Sequence, residues 1–310
     1  MEANNRHAVW GNYLSDQQDN LDALFCTVNI LQCQFLVDIF RRIPRYALPE
    51  SWIIGFTFYP VLEALKSGQA NPILLLGVTG FLLSIQKKKY FLAGDFLSFL
   101  ILKPHLLYLF VLAVLFWTLN ERRWFVFLGG LASFIFGTVI AWIVNLQVIN
   151  QYFFAILNYP PTDWVTPTIG GILRIIIAPD LIFLQFLAPL LGIIWFIFYW
   201  FRRRNSWNWI EHAPLLVLVS VFTAAYGWSS GQLVSVIALF QIGVMIFQGG
   251  LKRSSIMLII SYLAINILAF ILSGNAIILF WLAPSLLIWY LGAKKYLANN
   301  STIEETELTI

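Results

Sequence analysis

Long apolar runs separated by short polar breaks dominate the chain. These runs lie at about 23–40, 51–66, 71–86, 90–103, 105–119, 124–147, 181–201, 212–228, 232–249, 254–272 and 276–293. Several approach about 18 residues with almost no charge, which is the length an apolar helix needs to cross a bilayer. Lipid tolerates only helices or closed barrels, and alternating strand patterns are absent. The pattern therefore predicts an all-α polytopic membrane protein with about eleven transmembrane segments.

The composition supports a membrane protein and argues against several other classes. Of the 310 residues, 60% are hydrophobic and 11% are charged, which is more apolar surface than a soluble domain can bury. The net charge of +4 does not indicate nucleic-acid binding, because the basic residues stand in short clusters between apolar runs. Cys26 and Cys33 lie about 10 Å apart along a helix, too far for a disulfide. Their spacing does not suit a metal, so we expect no metal site.

The basic clusters predict the orientation of the chain in the membrane. They hold 15 of the 19 lysines and arginines and fall in every second connection, so all of them can face the cytoplasm together. The clusters are Arg41/Arg42/Arg45, Lys87/Lys88/Lys89, Arg122/Arg123, Arg202/Arg203/Arg204, Lys252/Arg253 and Lys294/Lys295. This places residues 1–22 outside, a multi-pass domain at 23–297 in the plasma membrane, and a polar C-terminal tail at 298–310 in the cytoplasm. The outer connections include a long loop at about 148–180.

A break at Lys103-Pro104 separates two apolar runs that are too short to cross a bilayer. Each would span about 21 Å as a helix, against a hydrocarbon layer of about 30 Å. Pro104 lacks an N–H and disfavours helical geometry at Lys103, so the helix should end there, inside the outer leaflet. Irregular backbone at that depth survives only beside protein or a wet cavity. The sequence thus predicts an outward-facing cavity, lined by Gln69, Asn71, Lys103, His105, Ser229 and Gln232.

Three cations on the predicted outer side are candidates for binding an anionic group. A lysine at a helix centre costs about 2.5–3.5 kcal/mol, so Lys103 needs a partner. That partner is either a lipid or substrate phosphate or, if the side chain snorkels, the lipid headgroups. Lys66 is a second candidate and Arg174, in a predicted short interfacial helix, is a third. For both, anchoring at the membrane surface is the alternative.

The general base of a transfer reaction would be an outer-side acid. Asp16, Asp19 and Asp22 cluster before the first apolar run, and a carboxylate there can reach a substrate hydroxyl. The alternative for each is a solvated loop residue or a helix cap, which is the commoner role of an aspartate before a helix. Glu2, Glu63, Asp163 and Asp180 complete the outer-side acids. Because the chain contains no Gly-rich nucleotide loop, paired metal carboxylates or Ser/His/Asp set, an ATP or nucleotide-sugar enzyme is disfavoured.

Three motifs resemble those of glycosyltransferase family 87, the DUF2029 proteins. Gly68-Gln69-Ala70-Asn71 resembles the family's GQ-x-N break, and Leu102-Lys103-Pro104 resembles the end of its AG…LKP hairpin. Tyr226-Gly227-Trp228-Ser229 with Gln232 resembles its later YGWS-x-DQ element. The order and spacing agree over about residues 20–290.

The resemblance implies a GT-C-type bundle related to polyprenyl-phosphate-mannose-dependent α-mannosyltransferases. It implies inverting transfer of a hexose, mannose by analogy, from a polyprenyl-phosphate carrier to a lipid or glycan acceptor on the outer face, with no cofactor. Lys103 would then neutralise the departing phosphate, while Gln69 and Asn71 would bind sugar hydroxyls or the phosphate. The full expected substrate-binding set is Lys66, Gly68, Gln69, Asn71, Lys103, His105, Arg174, Trp228 and Gln232.

The chain departs from the family pattern in two places. The family begins with a further transmembrane helix and an outer loop with an acidic motif, so residues 1–22 are expected to be the remnant of that loop. Gly231 stands where the later element usually has Asp. Two other hypotheses stay open: a multi-pass transporter, because broken helices with polar groups also mark transporters, and an inactive homologue serving as a membrane scaffold.

Overall fold

In a computed structural model, residues 48–158, 166–249 and 252–307 are described, and within these ranges the chain is helical with no strand. The first α-helices are α1 (Leu48–Thr57), α2 (Tyr59–Lys66), α3 (Asn71–Gln86), α4 (Tyr90–Leu97), α5 (Tyr108–Asn120), α6 (Trp124–Val144) and α7 (Val148–Asn158). The later ones are α8 (Ile169–Ile177), α9 (Leu187–Arg203), α10 (Trp209–Phe222), α11 (Val236–Gly249), α12 (Arg253–Ile271) and α13 (Leu282–Glu307). Short 3-10 helices cover Ser98–Leu102, Ile182–Phe186, Arg204–Ser206, Ser229–Ser235, Leu272–Gly274 and Ala276–Trp281.

Within the described ranges, five helical stretches are long and apolar enough to cross a membrane, which confirms the helical membrane class. They are Trp124–Val144, Ile182–Ser206, Ser229–Gly249, Arg253–Gly274 and Ala276–Ala298. Four other predicted runs form shorter apolar helices, at Asn71–Gln86, Tyr90–Leu102, Tyr108–Asn120 and Trp209–Phe222. The run predicted at 23–40 lies outside the described residues.

The structure corrects the predicted loop at about 148–180. Two helices lie in this stretch, α7 and α8, of which the sequence predicts only α8. None of the residues of α7 is buried and all but Val148 are exposed, so it has no apolar face buried against the described protein. The apolar and polar residues of α7 alternate as in an amphipathic helix, a pattern that suits the surface of a membrane. The sequence argument missed it because α7 is short and interrupted by Asn150 and Gln151.

The apolar run predicted at 51–66 is broken in two at Phe58. Pro60 stands in the first turn of α2, where its missing N–H costs nothing. The backbone N–H of Tyr59, which has no partner within the helix, donates to Asn266 Oδ1 on α12 at 2.8 Å. This bond satisfies the free N–H at the start of α2. It also ties α2, the helix that leads to the functional site, to α12.

The core of the described structure surrounds α3. Twelve of its sixteen residues are buried, and it packs against α4, Ser98–Leu102 and Ser229–Ser235. Phe81 is fully buried, with ring centroids 5.5 Å from Phe110 and 4.8 Å from Trp209, both edge-to-face. These aromatic contacts hold the second half of α3 against α5 and α10.

Candidate functional site

A glycine turn positions the first polar side chain of the site. Gly68 adopts a left-handed backbone conformation with φ of 58°, which residues with a Cβ rarely adopt. The N–H of Gly68 donates to Leu65 O and that of Gln69 to Ala64 O, each at 3.3 Å, a Schellman ending for α2. Gly68 therefore acts through the backbone, and its effect is to direct Gln69 toward the beginning of α3.

The ammonium group of Lys103 is held by the two amides of this break. Lys103 lies in a non-helical turn directly after Ser98–Leu102, as the following proline predicts. Its Nζ donates to Gln69 Oε1 at 2.9 Å and to Asn71 Oδ1 at 2.8 Å. Asn71 is fully buried at the start of α3. Three residues that the sequence predicted as a set are thus in direct contact.

A fourth residue, Ser230, joins this group. Its hydroxyl donates to Gln69 Oε1 at 3.0 Å, and Asn71 Nδ2 donates to the same oxygen at 3.2 Å. We call Gln69, Asn71, Lys103 and Ser230 the amide–lysine cluster. The sequence predicts Ser229, and not Ser230, as the residue that lines the cavity. Which of two adjacent serines faces Gln69 depends on the rotation of the 3-10 helix Ser229–Ser235, which no local pattern reveals.

The charge of Lys103 is not neutralised within the described part of the chain. Its two partners there are neutral amide oxygens, and it forms no ion pair with a described carboxylate. Its side chain is partly buried in the turn between helices. A partly desolvated cation with neutral partners favours an anionic ligand, because a negative charge would replace the lost solvation.

His105 occupies the same turn and is partly buried. Its ring lies 3.9 Å from that of Tyr226 between centroids, with 31° between the planes. His105 therefore contributes an aromatic surface in the turn that carries Lys103.

Three buried polar atoms in adjoining segments have no hydrogen-bond partner within the described residues. They are Glu63 Oε2, Ser229 Oγ and Gln232 Oε1. Buried polar groups in proteins are almost always paired, so unpaired atoms grouped in one place mark a position for a ligand or water. Gln232 also lines a cleft with Trp228 and Thr168. Trp228 is 38% exposed, which leaves its ring accessible at the edge of the cleft.

Gly231, where the resemblance leads us to expect an acidic residue, faces Leu106. A Cβ at this position would lie 2.8 Å from Leu106 Cδ1, closer than side-chain atoms normally approach. An aspartate here would require the Leu106 side chain to move. The glycine at position 231 therefore leaves room for Leu106, which lies in the turn that carries Lys103.

The remaining predicted residues lie elsewhere or outside the described ranges. Lys66 is exposed at the end of α2. Arg174 donates from Nε to Pro179 O at 2.7 Å and from Nη1 to Gln185 Oε1 at 3.1 Å, bonds that tie α8 to the next 3-10 helix. The base candidates Asp16, Asp19 and Asp22 lie outside the described residues. Their roles, and those of Lys66 and Arg174, stay predictions.

A family model for glycosyltransferase family 87 matches residues 21–221. The matched range includes Gln69, Asn71 and Lys103, and it ends before Trp228 and Gln232, whose likeness to the later family element stays a prediction. The chain matches none of the curated proteins and none of the solved structures. Since the match covers more than half of the 310 residues and the described chain is a bundle of apolar helices, the protein is a membrane glycosyltransferase that belongs to glycosyltransferase family 87.

Proposed function

We propose that this enzyme transfers a hexose, specifically mannose, from a polyprenyl-phosphate carrier to a lipid or glycan acceptor on the outer face of the plasma membrane. The proposal includes the eleven-segment topology with a cytoplasmic C-terminus, supported by the distribution of the basic clusters. It needs no cofactor, because the donor already carries a phosphate as its leaving group.

The single observation that carries the proposal is the state of Lys103. Its ammonium group is partly buried in a turn between helices and has only neutral partners in the described chain. When the bond between the sugar C1 and the phosphate oxygen breaks, negative charge develops on the phosphate. A preorganised cation stabilises such charge most strongly where water is scarce. Lys103 is suited to this role, with Gln69 and Asn71 fixing its position.

The rest of the reaction follows from the same chemistry. An acceptor hydroxyl attacks C1 from the face opposite the phosphate, so the configuration inverts. The hydroxyl proton passes to a carboxylate, for which Asp16, Asp19 and Asp22 are our candidates. The polyprenyl phosphate leaves with the electron pair of the broken C–O bond, and its charge stays beside Lys103.

The proposal is tested by following transfer of radiolabelled mannose from polyprenyl-phosphate mannose in membranes that contain the enzyme. We expect Lys103→Met, which keeps the length of the side chain but not its charge, to lower the rate about 100-fold or more. Lys103→Arg should retain part of the activity. Lys87→Met, at an exposed position in a basic cluster, is the matched control and should leave the rate unchanged.

Two results would refute this proposal. One is transfer at the wild-type rate by Lys103→Met in membranes that contain equal amounts of folded enzyme. The other is a wild-type protein that yields no covalent sugar product yet carries a solute into proteoliposomes, which would support the transporter hypothesis.

A further inference from the structure

Glu63 is an acidic residue in α2 that no part of the proposed reaction uses. It lies one turn before the Schellman ending that directs Gln69 into the amide–lysine cluster. The side chain is partly buried, and its Oε2 is fully buried without a hydrogen-bond partner among the described residues. A carboxylate oxygen left unpaired in this way is costly, so the position favours a ligand that donates hydrogen bonds.

The surroundings of the carboxylate are polar and point to hydroxyl groups. The hydroxyls of Tyr59 and Ser229 lie next to its carboxyl, close enough to interact with it, although Ser229 Oγ is buried and forms no hydrogen bond of normal length and angle in the described chain. A carboxylate accepts hydrogen bonds, and a serine hydroxyl both donates and accepts. Together they suit a polyol, whose hydroxyls can bridge the two groups. A phosphate is disfavoured at Glu63 because the two negative charges would repel.

This polar position adjoins the cation. α2 packs against Ser229–Ser235, and the residue after Ser229 is Ser230, whose hydroxyl donates to Gln69 Oε1. The same oxygen accepts from Lys103 Nζ. The two adjacent serines therefore connect a carboxylate on one side with an ammonium on the other. A sugar attached to a phosphate presents the same order of groups, hydroxyls followed by an anion.

We propose that Glu63, together with Ser229, binds hydroxyl groups of the sugar while Lys103 binds the adjoining phosphate. This inference rests on the proposed function and deepens it, since it assigns the sugar-binding residues. The shared chemistry is that of vicinal hydroxyls, whether they belong to the donor hexose or to a sugar acceptor. The experiment has one arm for each of these sources.

The first arm measures binding of the donor to detergent-purified, full-length enzyme. Polyprenyl-phosphate mannose is compared with polyprenyl phosphate, which lacks the sugar. If Glu63 binds the donor sugar, Glu63→Ala should weaken binding of polyprenyl-phosphate mannose about tenfold or more and leave polyprenyl phosphate unaffected. Lys103→Met should weaken binding of both lipids. This contrast separates loss of the sugar contact from loss of the phosphate contact.

The second arm measures steady-state transfer while the acceptor concentration is varied. If Glu63 binds the acceptor, Glu63→Ala should raise the acceptor KM about tenfold or more and leave binding of both lipids unchanged. Glu63→Gln retains an oxygen that accepts hydrogen bonds, so its effect in either arm should be smaller. Glu121→Ala, at an exposed carboxylate between α5 and α6, is the matched control and should match the wild type.

Ser229→Ala keeps the inference testable if Glu63→Ala fails to fold. Because Ser229 Oγ forms no hydrogen bond of normal length and angle within the described residues, its removal should change the thermal stability of the enzyme little. It should still weaken the same binding step as Glu63→Ala, by about threefold or more.

The inference is overturned if Glu63→Ala and Ser229→Ala, both folded, leave donor binding and the acceptor KM within about twofold of the wild type. It is also overturned if Glu63→Gln abolishes turnover without any change in binding, because that result would make Glu63 a general base. If the wild type binds neither lipid, the proposed function itself has failed. If the wild type binds both lipids and Lys103→Met weakens this binding, the proposed function stands whatever the result for Glu63.

Discussion

Two helices of similar character, α3 and α6, have opposite environments. Neither contains a charged residue, and both are strongly apolar. Twelve of the sixteen residues of α3 are buried, whereas Val126 and Gly129 are the buried residues of α6. Hydrophobicity therefore identifies both as membrane helices but does not distinguish a helix surrounded by protein from one whose surface faces lipid.

The difference matters for function because the amide–lysine cluster lies at the N-terminus of α3. A polar side chain there is held by several neighbouring elements, as the contacts of Asn71 with Gln69 and Lys103 illustrate. α6 packs on α4 along one side, and most of its residues are exposed in the described structure. Preorganisation of a charged site needs rigid support on several sides, and α3 has that support.

The largest expected contrast comes from removing a large side chain from each helix. Phe81→Ala would leave a cavity among aromatic rings and should lower the free energy of unfolding by about 3–5 kcal/mol. Phe136→Ala, at a side chain of α6 that is 68% exposed, should change it by less than about 1 kcal/mol. The stability of both variants is compared through their apparent melting temperatures in detergent, which are obtained by heating the protein and then measuring the remaining folded fraction by size-exclusion chromatography. Equal losses would mean that the environments of α3 and α6 do not differ as described.

A second contrast lies within α6 itself. A Cβ at Gly129 would lie 2.0 Å from Phe91 O of α4, so Gly129→Ala must push the two backbones apart. We expect a loss of about 1–3 kcal/mol, the usual cost of overpacking. Gly137→Ala is the control, because a Cβ there meets nothing within 4 Å. It should be neutral or slightly stabilising, and a loss as large as that of Gly129→Ala would contradict a glycine-mediated contact between α4 and α6.

The smallest expected effect sharpens the link between α2 and the site. Gly68→Ala forces a residue with a Cβ into the left-handed region and should cost about 1–2 kcal/mol. Because Gly68 directs Gln69 toward Lys103, mannose transfer should fall more than stability alone explains. Gly249→Ala, at the end of α11 with open space around it, is a matched control for both measurements. A destabilised Gly68→Ala variant with an unchanged specific activity would show that Gln69 does not depend on this turn.

The sequence predicts the breaks at Gly68 and Pro104, because glycine and proline act on the backbone of their own and adjacent residues. It does not predict the break before Pro60, which divides the apolar run at 51–66. It does not predict α7, an apolar but short helix that Asn150 and Gln151 interrupt. The number of segments that fully cross the membrane also depends on helix packing and tilt, which hydropathy does not encode.

For the site, the sequence identifies Gln69, Asn71 and Lys103 but not their arrangement with Ser230 or the unpaired state of Glu63. A charged residue in an apolar run, or a helix break, can be recognised from the residue and its immediate neighbours in the sequence. Whether a carboxylate has a partner depends on groups contributed by other helices, and Glu63 meets Ser229 only through the packing of α2 on Ser229–Ser235.

The sequence by itself determined the class of this protein, its helix breaks and the presence of an isolated cation in a membrane turn. Those properties follow from apolar length, backbone chemistry and local charge. The tertiary structure alone decided which groups surround Lys103. Its partners Gln69 and Asn71 lie 34 and 32 residues away, and Ser230 lies 161 residues from Gln69. Contacts over such separations exist because helices pack in one particular arrangement, and that arrangement depends on side chains throughout the core.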